Sequence, residues 1–166
     1  MFTCLLTLLR VLVVLPRDEL VRRLYETVER DHVLIQAPPG SGKTALVQLL
    51  SERYPELPIK YIDCSKAFAG INLDRETCWE LQRLLGRALG CVVGPDAQMP
   101  KLLSGRVIIL DNAQLLDRQH AFWNAILDAV YIGLPAGRVI AVSTVRPSIS
   151  TRDLLLSFAM LHQPVC

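Results

Sequence analysis

Nowhere in its 166 residues does the sequence carry an uncharged apolar run of about 18, the length that a membrane-spanning helix needs. This holds although apolar residues make up 51% of the chain and mean hydropathy is +0.32, so the apolar surplus is expected in buried strands. An excess of one charge is missing too. With 18 Lys and Arg against 16 Asp and Glu, the net charge of +2 gives no broad electrostatic footprint for nucleic acid. The five cysteines (Cys4, Cys64, Cys78, Cys91 and Cys166) contain no C-x-x-C pair, which argues against a zinc knuckle or a disulfide framework. A reducing, intracellular setting is expected, cytoplasmic or nuclear. No internal repeat or low-complexity segment appears, which removes solenoid and disordered readings. His32, His120 and His162 are scattered without ligand spacing.

What is present is an alternation of apolar segments. Residues 1–15 form an apolar N-terminal segment broken by Arg10, with no basic start and no small-residue cleavage pattern before Pro16. Residues 16–166 are expected to form the folded core. Leu20, Val21, Leu24 and Val28 recur at helical spacing opposite Arg22, Arg23, Glu26 and Glu29. Residues 32–37 read as a short buried strand, 44–54 as a helix stopped by Pro55, and 59–64 as a second strand. Asp74 is expected to cap a helix carrying Leu81, Leu84, Leu85, Ala88 and Leu89, closed by Gly90. Residues 94–105 read as a loop, 107–110 as a strand ending at Asp111, and 139–142 as a further strand. Asp117 is expected to begin the helix of Trp123, Ile126, Leu127 and Val130. Trp79 and Trp123 both fall on apolar helix faces. For residues 150–166 strand and helix remain open, a strand there being placed beside the first. Strands apolar on both faces, alternating with helices, predict an α/β three-layer sandwich with a mostly parallel sheet.

The first strand ends in Ala37-Pro38-Pro39-Gly40-Ser41-Gly42-Lys43-Thr44. This matches G-x-x-x-x-G-K-[ST], the phosphate-binding P-loop, at every position except the first, and it sits between a strand and a helix as that motif requires. Prolines stiffen the entry, while amides from Gly40 to Thr44 can converge on a polyphosphate at a helix N-terminus. Pro39, Gly40, Ser41, Gly42, Lys43, Thr44 and Ala45 are therefore candidate nucleotide-binding residues. Lys43 would answer the terminal phosphates and Thr44 would place its hydroxyl on Mg²⁺.

Val107-Ile108-Ile109-Leu110-Asp111 delivers a carboxylate at a strand's C-terminal edge, where ligands of open parallel sheets bind, so Asp111 is the second candidate metal residue. The following Asn112 cannot accept a proton from water. Gln114 or Asp117 could substitute, and Asp63 either approaches the metal shell or caps the turn that follows it. Binding is thus better supported than turnover.

Together these motifs resemble the P-loop NTPases of the AAA+ and STAND type over residues 15–147. Val14-Leu15-Pro16-Arg17-Asp18-Glu19-Leu20 is similar to the box that precedes the first strand in those proteins, with Pro16 where Gly is common. The resemblance implies that Arg17 lies near the adenine and that ATP with Mg²⁺ is the cofactor pair. Gly137 to Arg146 looks like a sensor strand, making Thr144 and Arg146 candidate sensors of the γ-phosphate, although Arg146 also reads as a solvated turn residue before Pro147. With Asn112 where many relatives carry Glu, the resemblance implies a hydrolase with weakened catalysis, a slow Mg-dependent ATPase acting as a nucleotide switch. Relatives continue into a helical lid, whose absence here implies weak affinity and either a minimal core or a fragment.

Two other readings stay open. A helicase motor fragment is suggested by Ala37 and by Asp111-Asn112-Ala113-Gln114, and a degenerate, non-hydrolysing fold used as an interaction module is suggested by Asn112. Beyond a nucleoside triphosphate, the expected partners are a protein or a second copy, for which Arg118 and Arg138 could serve as arginine fingers. Neither nucleic acid nor a membrane span is indicated.

Overall fold

A computed structural model describes residues 17–91, 99–129, 137–144 and 158–162, the last of these in backbone only. The apolar segment 1–15, Val130 and Arg146 lie outside them. In chain order the elements are helix α1 (Arg17–Val28), strand β1 (His32–Gln36), helix α2 (Lys43–Arg53), strand β2 (Ile59–Asp63) and the short helix α3 (Cys64–Ala67). A 3₁₀ turn (Leu73–Arg75) leads to α4 (Cys78–Ala88) and α5 (Met99–Leu103). Strand β3 (Val107–Asp111), a second 3₁₀ turn (Ala113–Leu116), α6 (His120–Asp128), β4 (Arg138–Ser143) and β5 (Phe158–His162) complete it.

The five strands form one sheet in the order β2-β3-β4-β1-β5, with every neighbouring pair parallel. Parallel strands need crossovers, and the crossover helices cover both faces. On one face Val33, Ile35, Val107, Ile109, Ile140 and Val142 pack with Leu20, Val21 and Leu24 of α1 and Leu46, Val47 and Leu50 of α2. On the other, Leu34, Ile62, Ile108, Leu110, Val139 and Ala141 meet α3 to α6 through Leu81, Leu85, Phe122, Trp123 and Ile126. The strand side chains alternate between faces, yet every residue of β3 is buried, because both faces are covered. α1 is tied to α2 by the stacked rings of Tyr25 and Tyr54, 3.9 Å apart, and by Arg53 to Asp18 at 2.7 Å.

Several local expectations are corrected. α4 starts from Thr77 rather than Asp74: the Thr77 side chain accepts from the Glu80 amide at 3.3 Å while Glu80 accepts from the Thr77 amide at 2.8 Å, a reciprocal cap. α6 begins at His120, because residues 113–116 close a 3₁₀ turn that ends at Asp117. The stretch read as a loop contains α5, whose Met99, Leu102 and Leu103 are buried. Trp79 is 44% exposed with the Arg83 guanidinium 5.8 Å over its ring, whereas Trp123 is buried and donates to the Leu116 carbonyl at 2.8 Å. The tail supplies a strand, β5, beside β1. His32 opens β1 buried, its Nδ1 accepting from the Val139 amide at 2.9 Å; burial first, then the Arg138 charge, holds its pKa down at about 4.

Among the described residues no helix is long and apolar enough to cross a membrane.

Candidate functional site

β1 ends at the crossing point of the sheet, between β4 and β5, so the loop after it emerges at the C-terminal edge of the sheet. Gly40 (φ 75°) and Gly42 (φ 82°) both occupy left-handed backbone, which L side chains rarely adopt. Gly42 is the N-cap of α2 and accepts from the Leu46 amide at 2.9 Å. The amides of Gly42, Lys43, Thr44 and Ala45 have no backbone acceptor among the described residues, as at any helix start, and together they offer partial positive charge. The Ser41 amide differs from expectation: it donates at 3.3 Å to the Pro38 carbonyl within the loop.

Lys43 is buried, and its Nζ donates to the Ala37 carbonyl at 2.8 Å, the Pro38 carbonyl at 2.7 Å and Ser41 Oγ at 3.4 Å. Its ammonium therefore closes the loop on itself and occupies the centre of the cradle. Burial lowers its pKa, and the nearby Asp111 charge opposes that shift. Arg17, the first residue of α1, brings its guanidinium beside Gly42, within 3.6 Å of where a Cβ would stand. Pro39 is exposed in the loop and Ala45 is half-buried in the first turn of α2.

Asp111 ends β3 with its side chain on the α1–α2 face. Thr44 Oγ1 donates to its Oδ2 at 2.9 Å, and its Oδ1 accepts from the Asn112 amide at 2.9 Å. Tyr61 of β2 donates its phenol to the same Oδ2, a contact the sequence reading missed. No signal in the sequence marks it, because it follows from the register: Tyr61 faces Ile109, one pleat before Asp111, so both side chains leave the same face. Burial first, and then this bond, raise the Tyr61 pKa.

Asn112 adopts left-handed backbone (φ 57°), which Asn tolerates better than most residues, and its Nδ2 donates to Asp63 Oδ1 at 3.0 Å. Asp63 also accepts from the Ser65 amide at 3.0 Å and hydroxyl at 2.6 Å, so it caps α3 as well as touching the site. The Ser65 hydroxyl is the first cause of its lowered pKa, with the Asn112 bond and Lys66 acting the same way. Gln114 donates to Asn112 Oδ1 at 3.4 Å and, with Asp117, Arg118 and Gln119, lines an open cleft of about 390 Å³ against Ile71 and Leu73.

The remaining candidates divide. Thr144 follows β4 in a half-buried bend, and the bond from the Ala37 amide to the Ser143 carbonyl at 3.3 Å holds that bend beside the loop. Arg138 starts β4 and so lies at the opposite edge of the sheet, while Arg118 is exposed by the cleft. Lys43, Thr44 and Asp111 are thus brought together, with hard oxygens of the kind Mg²⁺ takes at Thr44 and Asp111.

No family model matches the sequence, and no curated protein matches it either. Solved structures do match in shape. The ORC1 protein of Aeropyrum pernix, in complex with DNA, superposes with TM-score 0.55 at 17% identity over 87% of this chain and 44% of that one. The Walker-type ATPase paby2304 of Pyrococcus abyssi gives 0.53 at 18% identity over 78% and 45%. AMPPCP-bound DnaA from Aquifex aeolicus gives 0.50 at 16% over 86% and 44%. The chain spans less than half the length of each. At such identities the likeness is one of architecture, and it agrees with the strand order and the loop geometry: the chain has the fold of the P-loop NTPases.

Proposed function

We propose that the chain binds ATP with Mg²⁺ at the loop after β1, and that it hydrolyses the nucleotide slowly as a switch of the AAA+ or STAND type. The observation that carries this reading is the Thr44 to Asp111 bond at 2.9 Å, which joins the start of α2 to the end of β3 beside a buried ammonium. A buried Lys held by its own loop's carbonyls is a cation awaiting a better acceptor, and a triphosphate supplies one. On entry of the phosphates Lys43 exchanges Ala37 and Pro38 for phosphate oxygens, while the open amides of the first turn of α2 bind the remaining oxygens. Thr44 and Asp111 would hold Mg²⁺, which would supply charge neutralisation to the triphosphate. Thr44 can lend an oxygen lone pair to the metal and still donate its proton to Asp111. Arg17 beside Gly42 is a further contact on the nucleotide side, and Thr144, with Arg146, is the proposed sensor of the γ-phosphate.

Titration calorimetry of the chain with Mg·ATP tests the reading, with binding weakened, though still measurable, on addition of EDTA and weakened about tenfold in a Thr44→Val variant. Absence of heat and of a thermal shift at millimolar Mg·ATP would give the decision to the non-hydrolysing interaction module. Hydrolysis that single-stranded DNA stimulates would instead favour the helicase fragment.

A further inference from the structure

We propose that Asp63 is the carboxylate that orients the attacking water, and that Asn112 is its amide partner; this deepens the ATPase reading and rests on it. Phosphoanhydride hydrolysis uses a group that orients the water or accepts its proton, in addition to the group that organises the metal, and a carboxylate can do both. Residue 112, directly after the metal carboxylate, is an amide and cannot take a proton. Gln114 is an amide as well: its nitrogen is committed to Asn112 at 3.4 Å, and its buried Oε1 can orient a water but cannot take a proton. Asp117 lies beyond the 3₁₀ turn, against the cleft with Arg118 and Gln119.

Asp63 is placed differently. It pairs in register with Asp111 across β2 and β3, so the two carboxylates leave the same face of neighbouring strands, about 4.8 Å apart at the backbone. Its Oδ1 is filled by three donors: the Ser65 amide at 3.0 Å, the Ser65 hydroxyl at 2.6 Å and Asn112 Nδ2 at 3.0 Å. Among the described residues its Oδ2 meets only the ammonium of Lys66 at 3.6 Å, on a side chain that is 86% exposed, so this oxygen can accept from water. The left-handed turn at Asn112 aims its amide back at β2, which fixes the carboxylate through one oxygen and leaves the other open. Charge and amide thus sit on β2 and after β3, respectively.

In the step itself the water oxygen bonds to the γ-phosphorus as the bond from that phosphorus to the β,γ-bridging oxygen breaks. The electron pair leaves with the β-phosphate and one water proton passes to Asp63 Oδ2 and on to solvent. The products are ADP and inorganic phosphate.

The experiment exchanges the two groups. Asp63→Asn retains an N-cap acceptor for α3, so its melting temperature should stay near that of the natural chain. It is expected to lower kcat about a hundredfold with the Kd for Mg·ATP within about twofold. Asn112→Asp, which brings two carboxylates into contact, lowers kcat as well. The double exchange D63N/N112D restores the carboxylate–amide pair in reverse order and is expected to recover kcat to within about tenfold of the natural chain. Full activity in Asp63→Asn, a fall in kcat that tracks a fall in melting temperature, or a double variant no faster than Asp63→Asn would each overturn the assignment. Mg·ATP binding and slow turnover in the natural chain, with full activity kept in Asp63→Asn, overturns this assignment alone; binding without turnover removes the hydrolysis half of the proposed function with it, and absence of binding removes both.

Discussion

The phosphate loop after β1 and the acidic edge after β2 and β3 share one end of the sheet, and they are held together in opposite ways. In the loop the fixing bonds are local: Lys43 reaches residues two, five and six positions back. At the acidic edge they span 67 positions from Thr44 to Asp111, 50 from Tyr61 to Asp111 and 49 from Asp63 to Asn112. A contiguous cradle keeps its shape through its own turn chemistry, whereas the edge depends on strand register, since a slip of one residue turns every side chain to the other face.

That contrast can be broken most severely at the loop. Lys43→Ala removes at least two charge-assisted bonds to the phosphates and should weaken Mg·ATP binding about a thousandfold, or about 4 kcal/mol. Calorimetry that returns an unchanged Kd would show that the cradle does not hold phosphate.

The strand beneath the loop differs from the strand beneath the edge in carrying a buried imidazole, and pH separates them. His32 has a folded pKa of about 4 against 6.5 for the free group, so the unfolded chain binds the proton first. Its stabilisation is complete above pH 6.5 and is lost as pH falls towards 4, by roughly 3 kcal/mol. Urea unfolding at pH 7.5, 5.5 and 4 reads this loss, and His32→Gln should flatten the profile.

At the edge, Asp111→Asn keeps the shape and removes the charge. The Mg²⁺-dependent part of ATP affinity should fall about thirtyfold, roughly 2 kcal/mol, while affinity in EDTA stays the same. An equal loss in both conditions would mean that Asp111 supports the loop and not the metal. The smallest expected effect is at Tyr61→Phe. The phenol shares Asp111 Oδ2 with Thr44, so removing it frees an acceptor for a metal-bound water and should raise Mg²⁺ affinity in the presence of ATP about threefold. A fall in that affinity would make Tyr61 a support for the carboxylate.

The same contrast explains what could be read in advance. Ala37 to Thr44 announced the loop because glycine at left-handed positions, a lysine and a hydroxyl follow one another in a single motif. Asp111 was legible as the end of an apolar strand. Tyr61 was not, because nothing in Ile59-Lys60-Tyr61-Ile62-Asp63 says which residue of β3 it will face. Asp63 was legible as a turn cap or a residue approaching the metal shell, but its bond to Asn112 was not, for that bond exists through pairing and a left-handed turn. α5 was hidden because Pro100 and a flanking polar stretch obscure a five-residue helix, four of whose residues are buried where it packs on α6. Thr77 was legible as a cap, for Thr77-Cys78-Trp79-Glu80 carries the T-x-x-E pattern of a reciprocal cap and Asp74 has no Glu or Gln three residues on.

By itself the sequence determined the layered parallel architecture, the loop and its lysine, since hydrophobic period and turn chemistry act over a few residues. The tertiary structure alone decided how Tyr61, Asp63, Asp111 and Asn112 meet, because their contacts arise from the alignment of β2 with β3, and alignment is a property of the assembled sheet.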